Sequence, residues 1–112
     1  MYKESGYYLK PEPISPLYSG KVFVLIDQRT SKVAEALAIW LKNENMATLA
    51  GQKSAGSPML TQAIDLDNQY HITIPIAQFF DNHGKSYLNI GTEPDLIVTG
   101  EDALSFVLRK IN

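Results

Sequence analysis

The run Val22-Phe23-Val24-Leu25-Ile26 constrains this chain more than any other feature. Five apolar residues without polar alternation, released by Gly20 and closed by Asp27, read as a strand from Lys21 to Asp27 buried on both faces. Such a strand belongs in the centre of a parallel sheet with helices on both sides. The residues after it agree with that placement. Beyond a turn at Gln28–Thr30, Val33, Leu37 and Leu41 recur at every fourth position with Ala34 and Ala38 beside them, which predicts a helix over 31–43 with that stripe facing the core. Strand then helix is half of a right-handed crossover unit.

Further along, Met46–Ala50 reads as a short strand closed by Gly51. Leu60, Gln62, Ile64 and Leu66 share one face, Asp67 and Asn68 make a turn, and Ile72, Ile74 and Ile76 line the returning arm of a hairpin. Pro75 should then sit at an edge or a strand end. The turn Asp81-Asn82-His83-Gly84 separates AQFF from SYLNI, and Pro94-Asp95 leads into a strand at 96–98. Thr99 with Asp102 three residues on resembles a capping box for a last helix, whose buried face would be Leu104, Val107, Leu108 and Ile111. The expected fold class is α/β, a mixed sheet with a parallel centre, an antiparallel flank and two main helices. Residues 1–20, with Pro11, Pro13 and Pro16 flanked by tyrosines, form an extended lead-in segment, and 21–112 carry the folded body.

Composition removes whole classes of function. At 112 residues and 45% hydrophobic, the chain makes one globular domain at most. The longest apolar run, Ala36–Leu41, falls far short of the roughly 20 residues of a membrane span, and the first residues show no secretory signal. With net charge −2 and scattered lysines and arginines, no basic stripe can neutralise a row of phosphates, so nucleic acid is not an expected partner. The complete lack of cysteine excludes disulfides, thiolate metal sites and thiol nucleophiles together. It leaves the compartment open.

Local motifs give near-misses. Gly51 and Gly56 have the glycine spacing of a phosphate loop, but Ser57 stands where that loop needs lysine. Lys53-Ser54-Ala55-Gly56 mimics the end of a nucleophile elbow, yet Gln52 occupies the leading glycine. His71 and His83 stand twelve apart with no local carboxylate at metal spacing, and read as solvated or hydrogen-bonded side chains.

From Ser19 to Val98 the chain resembles the C-terminal half of the peptidase domain of carboxyl-terminal processing peptidases, or tail-specific proteases, whose relatives include the tricorn core and interphotoreceptor retinoid-binding protein modules. The pieces that carry the resemblance are YSGKVFVLIDQRTSKVAEALAIWL (18–41), ATLAGQKSAGSP (47–58), LDNQYHITIPIAQF (66–79) and GTEPDL (91–96), in that order and spacing. It implies a crotonase-like, or Clp-protease-like, superhelical fold, here as a partial domain, and serine-type cleavage of polypeptide C-termini without a cofactor. It also implies the positions of the chemistry. The nucleophile would lie three residues before the glutamate of an Ala-Glu pair; that pair is Ala34-Glu35, so the position is Lys32. The general base would follow the next strand, at Ser57. Both members of the dyad are replaced.

Three readings compete at this point. In an inverted dyad Ser57 attacks and Lys32 is the base, helped by the positive end of the helix macrodipole, which disfavours a second positive charge there. Ser57 would then leave behind oxyanion donors beside the helix start and in a missing half of the domain. A shift of the nucleophile to Ser31 turns the side chain away by about 100°. The third reading is loss of catalysis, with Ser31 or Thr30 capping the helix. The expectation is an inactive peptidase-like chain, or a non-catalytic peptide-binding or assembly module with the same fold. Its partner would be a polypeptide or peptide ligand, with homodimer formation or association with a missing N-terminal half, and a periplasmic or envelope location if its parent follows the family.

Overall fold

The computed structural model describes residues 12 and 15–111, and most of the lead-in segment, including Tyr7 and Tyr8, lies outside them. Within them, the strands β1 (Phe23–Ile26), β2 (Thr48–Gly51) and β5 (Leu96–Ile97) pair in parallel in the order β1-β2-β5. The register runs from Phe23 opposite Thr48 to Ile26 opposite Gly51, and then from Ala50 opposite Leu96. Strands β3 (Met59–Asp65) and β4 (His71–Gln78) form a separate antiparallel ribbon. The expected single mixed sheet is therefore two sheets. Helices α1 (Lys32–Asn43) and α2 (Ala103–Ile111) complete an α/β fold.

β1 is where expectation and structure part most clearly. Among the described residues it pairs only with β2, so it is an edge strand, and Val22 and Leu25 are each 41% exposed. Its apolar run suits burial on both faces. The neighbour that would complete that burial is not among the described strands.

Helix α1 forms as its alanines and leucines dictate and stops where Asn45 turns left-handed (φ 55). Met46 N–H then donates to the Leu41 carbonyl (2.9 Å) and Asn45 N–H to that of Lys42 (3.0 Å), the paired bonds of a Schellman C-cap. Its orientation differs from the hydrophobic reading. Val33 and Leu37 are exposed, and the stripe turned inward is Glu35, Ala38 and Ile39, at i, i+3 and i+4. Ile26, Ala38 and Leu49, with Val24 beside them, make the small core between α1 and the parallel sheet.

α2 packs on β1 and β2 and buries Val107; Leu104, Leu108 and Ile111, expected in the core, are about half exposed. Its cap is Asp102 itself and not Thr99. The Asp102 carboxylate accepts the Ser105 N–H (2.8 Å) and hydroxyl (2.7 Å), ordinary N-cap geometry.

The hairpin register matches the sequence pattern, with Ile64 opposite Ile72 and Gln62 opposite Ile74. Leu60 opposes Ala77 and Thr61 opposes Pro75, so Ile76 is the extra residue of a bulge beside the proline that cannot donate to the ladder. His71 and His83 are both exposed.

Candidate functional site around Lys32 and Ser57

The β1–α1 turn and the loop after β2 are laced together by backbone bonds. Lys32 N–H donates to the Ser57 carbonyl and Ala55 N–H to the Thr30 carbonyl, both at 2.9 Å. The two positions singled out in sequence are thus direct backbone neighbours, 25 residues apart in the chain. Lys32 is exposed and Ser57 half-buried.

Lys32 opens α1 in the left-handed region, at φ 57. That conformation costs a non-glycine residue about 1–2 kcal/mol, so the surrounding bonds must hold it there. Ser31 occupies the N-cap position with extended backbone, but its side chain makes no capping bond, and the Thr30 hydroxyl accepts the Asp27 N–H (3.0 Å) instead. Neither residue caps the helix with its side chain, contrary to the sequence expectation. Among the described residues, the amide of Val33, next after Lys32, meets no acceptor. An unengaged N–H at this place is the kind of donor an oxyanion needs.

What holds the junction is Glu35. Its side chain is fully buried, and all its bonds are accepted ones: Oε1 takes the Ser54 hydroxyl (2.5 Å) and the Gly56 N–H (2.7 Å), and Oε2 takes the Ser57 N–H (2.8 Å). Ser54 is itself buried and its Oγ accepts the Thr92 N–H (2.8 Å), while Ser54 N–H donates back to the Thr92 carbonyl (3.1 Å). A third segment closes on the knot, since Asn89 N–H donates to the Gly56 carbonyl at 2.6 Å. The close approach demands glycine at position 91, where φ is 75 and a Cβ would sit 2.6 Å from the Ser54 carbonyl oxygen. No buried side-chain polar atom among the described residues is left without a partner. A buried carboxylate is tolerable only when paired in this way.

The GTEPDL string has a structural account too. Gly91 and Thr92 close on Ser54, Pro94 is buried, and the Asp95 carboxylate accepts the Leu49 N–H (2.8 Å) while Lys42 Nζ lies 3.4 Å from its other oxygen. Sequence reasoning used Glu35 only as a landmark for counting. Local periodicity carried no signal of its burial, because the donors it accepts from lie 19 to 22 residues away in the chain.

Comparison with known proteins gives this geometry a setting. The model of peptidase family S41 matches residues 2–98. A chloroplastic C-terminal processing peptidase from Tetradesmus obliquus is 26% identical over 73 residues, covering 65% of this chain and 16% of the relative. Among solved structures, the photosystem II D1 C-terminal processing protease superposes with a TM-score of 0.60 at 24% identity over 74% of this chain and 22% of the other. Mature CPAF complexed with lactacystin gives 0.68 at 24% identity over 88% of this chain and 21% of the other. The chain spans about a sixth to a fifth of the length of these relatives.

Proposed function

The chain belongs to peptidase family S41, and from that premise we propose that it is the part of a serine-type peptidase domain that carries the nucleophile helix and the general-base loop, with both catalytic side chains replaced. The fold it contributes to is crotonase-like. The observation that carries this reading is Lys32, held left-handed at the start of α1 with its N–H on the Ser57 carbonyl. A strained residue at a strand-to-helix turn, followed by an unengaged amide, is the backbone of a nucleophile position. The side chain there is an amine, and position 57 offers a hydroxyl in place of a base. Such a site keeps the scaffold of acyl transfer and lacks the nucleophile–base pair that performs it.

Substrate follows from the family: an unstructured polypeptide C-terminus, bound by strand addition beside β1. Loss of chemistry leaves that binding mode untouched, so the chain acts as a peptide-binding element that does not cleave. The test combines a serine-reactive fluorophosphonate probe with an unfolded protein bearing an apolar C-terminus. The expected result is binding without labelling and without new termini. Stoichiometric labelling at Ser57 would replace this reading with the inverted dyad, in which Lys32 serves as base; labelling at Ser31 would move the nucleophile by one residue. If neither cleavage nor peptide binding is found, the chain is an assembly module that keeps the fold for its surface.

A further inference from the structure

Helix α1 is held at both ends by one stretch of chain, residues 81–92. At the start of the helix, Asn89, Gly91 and Thr92 of that stretch close on the loop gripped by Glu35. At the far end, about 12 Å along the helix from Glu35, the same stretch is fastened through Asp81. The Asp81 carboxylate gathers four donors: Oδ1 accepts the His83 and Lys85 amides (both 2.9 Å), and Oδ2 accepts the Tyr87 hydroxyl (2.9 Å) and Asn43 Nδ2 (3.4 Å). Asn43 Nδ2 also donates to the Tyr87 oxygen at 3.2 Å. Tyr87 is buried, with the Lys85 ammonium 4.8 Å from its ring centre, and its hydroxyl is satisfied by these two partners.

A single tight turn joins the two ends. The Tyr87 carbonyl accepts the Ile90 and Gly91 amides (3.1 and 2.9 Å), so the position of Tyr87 sets that of Gly91. Gly91 in turn lies so close to the Ser54 carbonyl that no Cβ fits between them, and the next amide, Thr92 N–H, sits on Ser54 Oγ. Within the turn Asn89 is left-handed (φ 60) while its N–H donates to the Gly56 carbonyl at 2.6 Å. That conformation is strained even for asparagine, so the bonds on either side must keep it closed. The path from Asp81 to Ser57 is thus an unbroken series of bonds: carboxylate to Tyr87 hydroxyl, Tyr87 carbonyl to Gly91, and Asn89 and Thr92 to the loop that ends at Ser57.

We propose that Asp81 and Tyr87 form a latch that sets the closure of the 54–57 loop. With the latch made, Asn89 and Gly91 are pressed on Gly56 and Ser54 and the loop stays on Glu35. With the Asp81–Tyr87 bond lost, the 87–91 turn relaxes and the loop opens by a local fluctuation that leaves the parallel sheet intact. Asp81 is a positioning residue, because its four donors come from residues 43 and 83–87 and none from the 54–57 loop. The junction of Lys32 and Ser57 thereby has a control point at the opposite end of α1. The latch rests on bonds within the described residues and stands whether or not the chain binds peptide.

Native-state amide hydrogen exchange, read residue by residue by NMR, tests the latch. The Gly56 amide on Glu35 and the Asn89 amide on the Gly56 carbonyl report loop closure, while the Thr48 and Val98 amides, on the Val22 and Gly51 carbonyls, report the sheet. Tyr87→Phe removes only the hydroxyl and keeps the ring, so it tests the bond even where Asp81→Asn folds poorly. Each variant should speed exchange at Gly56 and Asn89 at least about tenfold and leave Thr48 and Val98 within about twofold. The double variant should exchange no faster at Gly56 than Asp81→Asn alone, because the hydroxyl acts through the carboxylate. Asn82→Ala removes a bond from the same stretch to the Glu44 carboxylate and should leave Gly56 unchanged. Unaltered Gly56 and Asn89 exchange in Tyr87→Phe, equal acceleration at Thr48 and Val98, additive effects in the double variant, or an Asn82→Ala effect as large as that of Asp81→Asn would each overturn the proposal.

Discussion

The knot around Glu35 and the β3–β4 hairpin are both built from chain segments that pair off the main sheet, yet they are held in opposite ways. The knot joins three segments distant in sequence: the 54–57 loop bonds to the Glu35 carboxylate, and Thr92 bonds to Ser54 of that loop. The hairpin is local, with residues 62–73 exposed throughout and Ile64 and Ile72, directly opposite each other, 41% and 46% exposed. Polar groups in the knot have no water to fall back on, so each bond is obligatory. In the hairpin every group can exchange its partner for solvent. The obligatory bonds of this chain therefore sit at the junction for which we propose the peptidase-like site.

The sharpest way to break the contrast is Glu35→Ala. It leaves the Gly56 and Ser57 amides and the Ser54 hydroxyl without their acceptor, all inside the molecule, and the expected loss is about 4 kcal/mol by urea denaturation. Glu35→Gln keeps the shape but turns an NH2 group toward one set of donors, and should lose about half as much. Ile64→Ala in the hairpin should cost under about 1 kcal/mol, the scale of one cross-strand pair. If the two alanine variants lose equal stability, the distinction between the regions is wrong.

Glycines give a second comparison. At Gly51, where φ is 131, a Cβ would run into the Ile26 carbonyl oxygen, so Gly51→Ala must push β1 and β2 apart; about 3 kcal/mol is expected from denaturation midpoints. Gly84 also has positive φ, 74, but open space around it, so Gly84→Ala should show only the conformational cost of about 1 kcal/mol.

Acid sharpens the contrast from the exposed side. The Ser105 amide bound to Asp102 holds that carboxyl below the ordinary value of 3.8, and the Lys85 amide does the same for Asp81. A carboxylate with a depressed folded pKa stabilises the fold above its unfolded pKa, and that contribution drains away as the pH falls through the folded one. The stability gap between the parent chain and Asp102→Ala should therefore be full at neutral pH and narrow below about pH 4, the unfolded carboxylate range. A gap that stays constant as the pH falls through the depressed value would mean the cap acts without its charge.

Sequence periodicity reads local order well and distant partners poorly, and these two regions show why. The hairpin register, the extent of α1 and the parallel β1–β2 pair follow from spacings of two and about four residues. The burial of Glu35 does not, because the donors it accepts from lie 19 to 22 residues away and Ser54 reaches 38 further to Thr92. Counting apolar positions turned α1 toward Val33 and Leu37, when three buried hydrogen bonds fix it with Glu35 inward. The edge position of β1 was equally hidden, since an apolar run records what a strand is suited to and says nothing of which neighbours are at hand. Lys32 and Ser57 came from resemblance, and no local pattern announces that their backbones meet.

Lys32 itself provides the smallest and most specific effect. Charge alone predicts that Lys32→Ser gains a few tenths of a kcal/mol by taking a cation from the positive end of α1. The backbone adds a second consideration, since serine at φ 57 keeps the left-handed penalty and glycine removes it. Glycine also loses more freedom on folding, which offsets part of that relief. Lys32→Gly should therefore stabilise the chain by about 0.5–1 kcal/mol, and by more than Lys32→Ser, in paired denaturation curves. Neither variant should label with a fluorophosphonate, because position 57 still offers no base. If Lys32→Gly is the less stable of the two, the left-handed turn is not where the strain resides, and the Glu35 bonds hold α1 for packing alone. A serine variant that labels would instead make the Ser57 hydroxyl or a bound water sufficient as base, and the knot a working scaffold awaiting only its nucleophile.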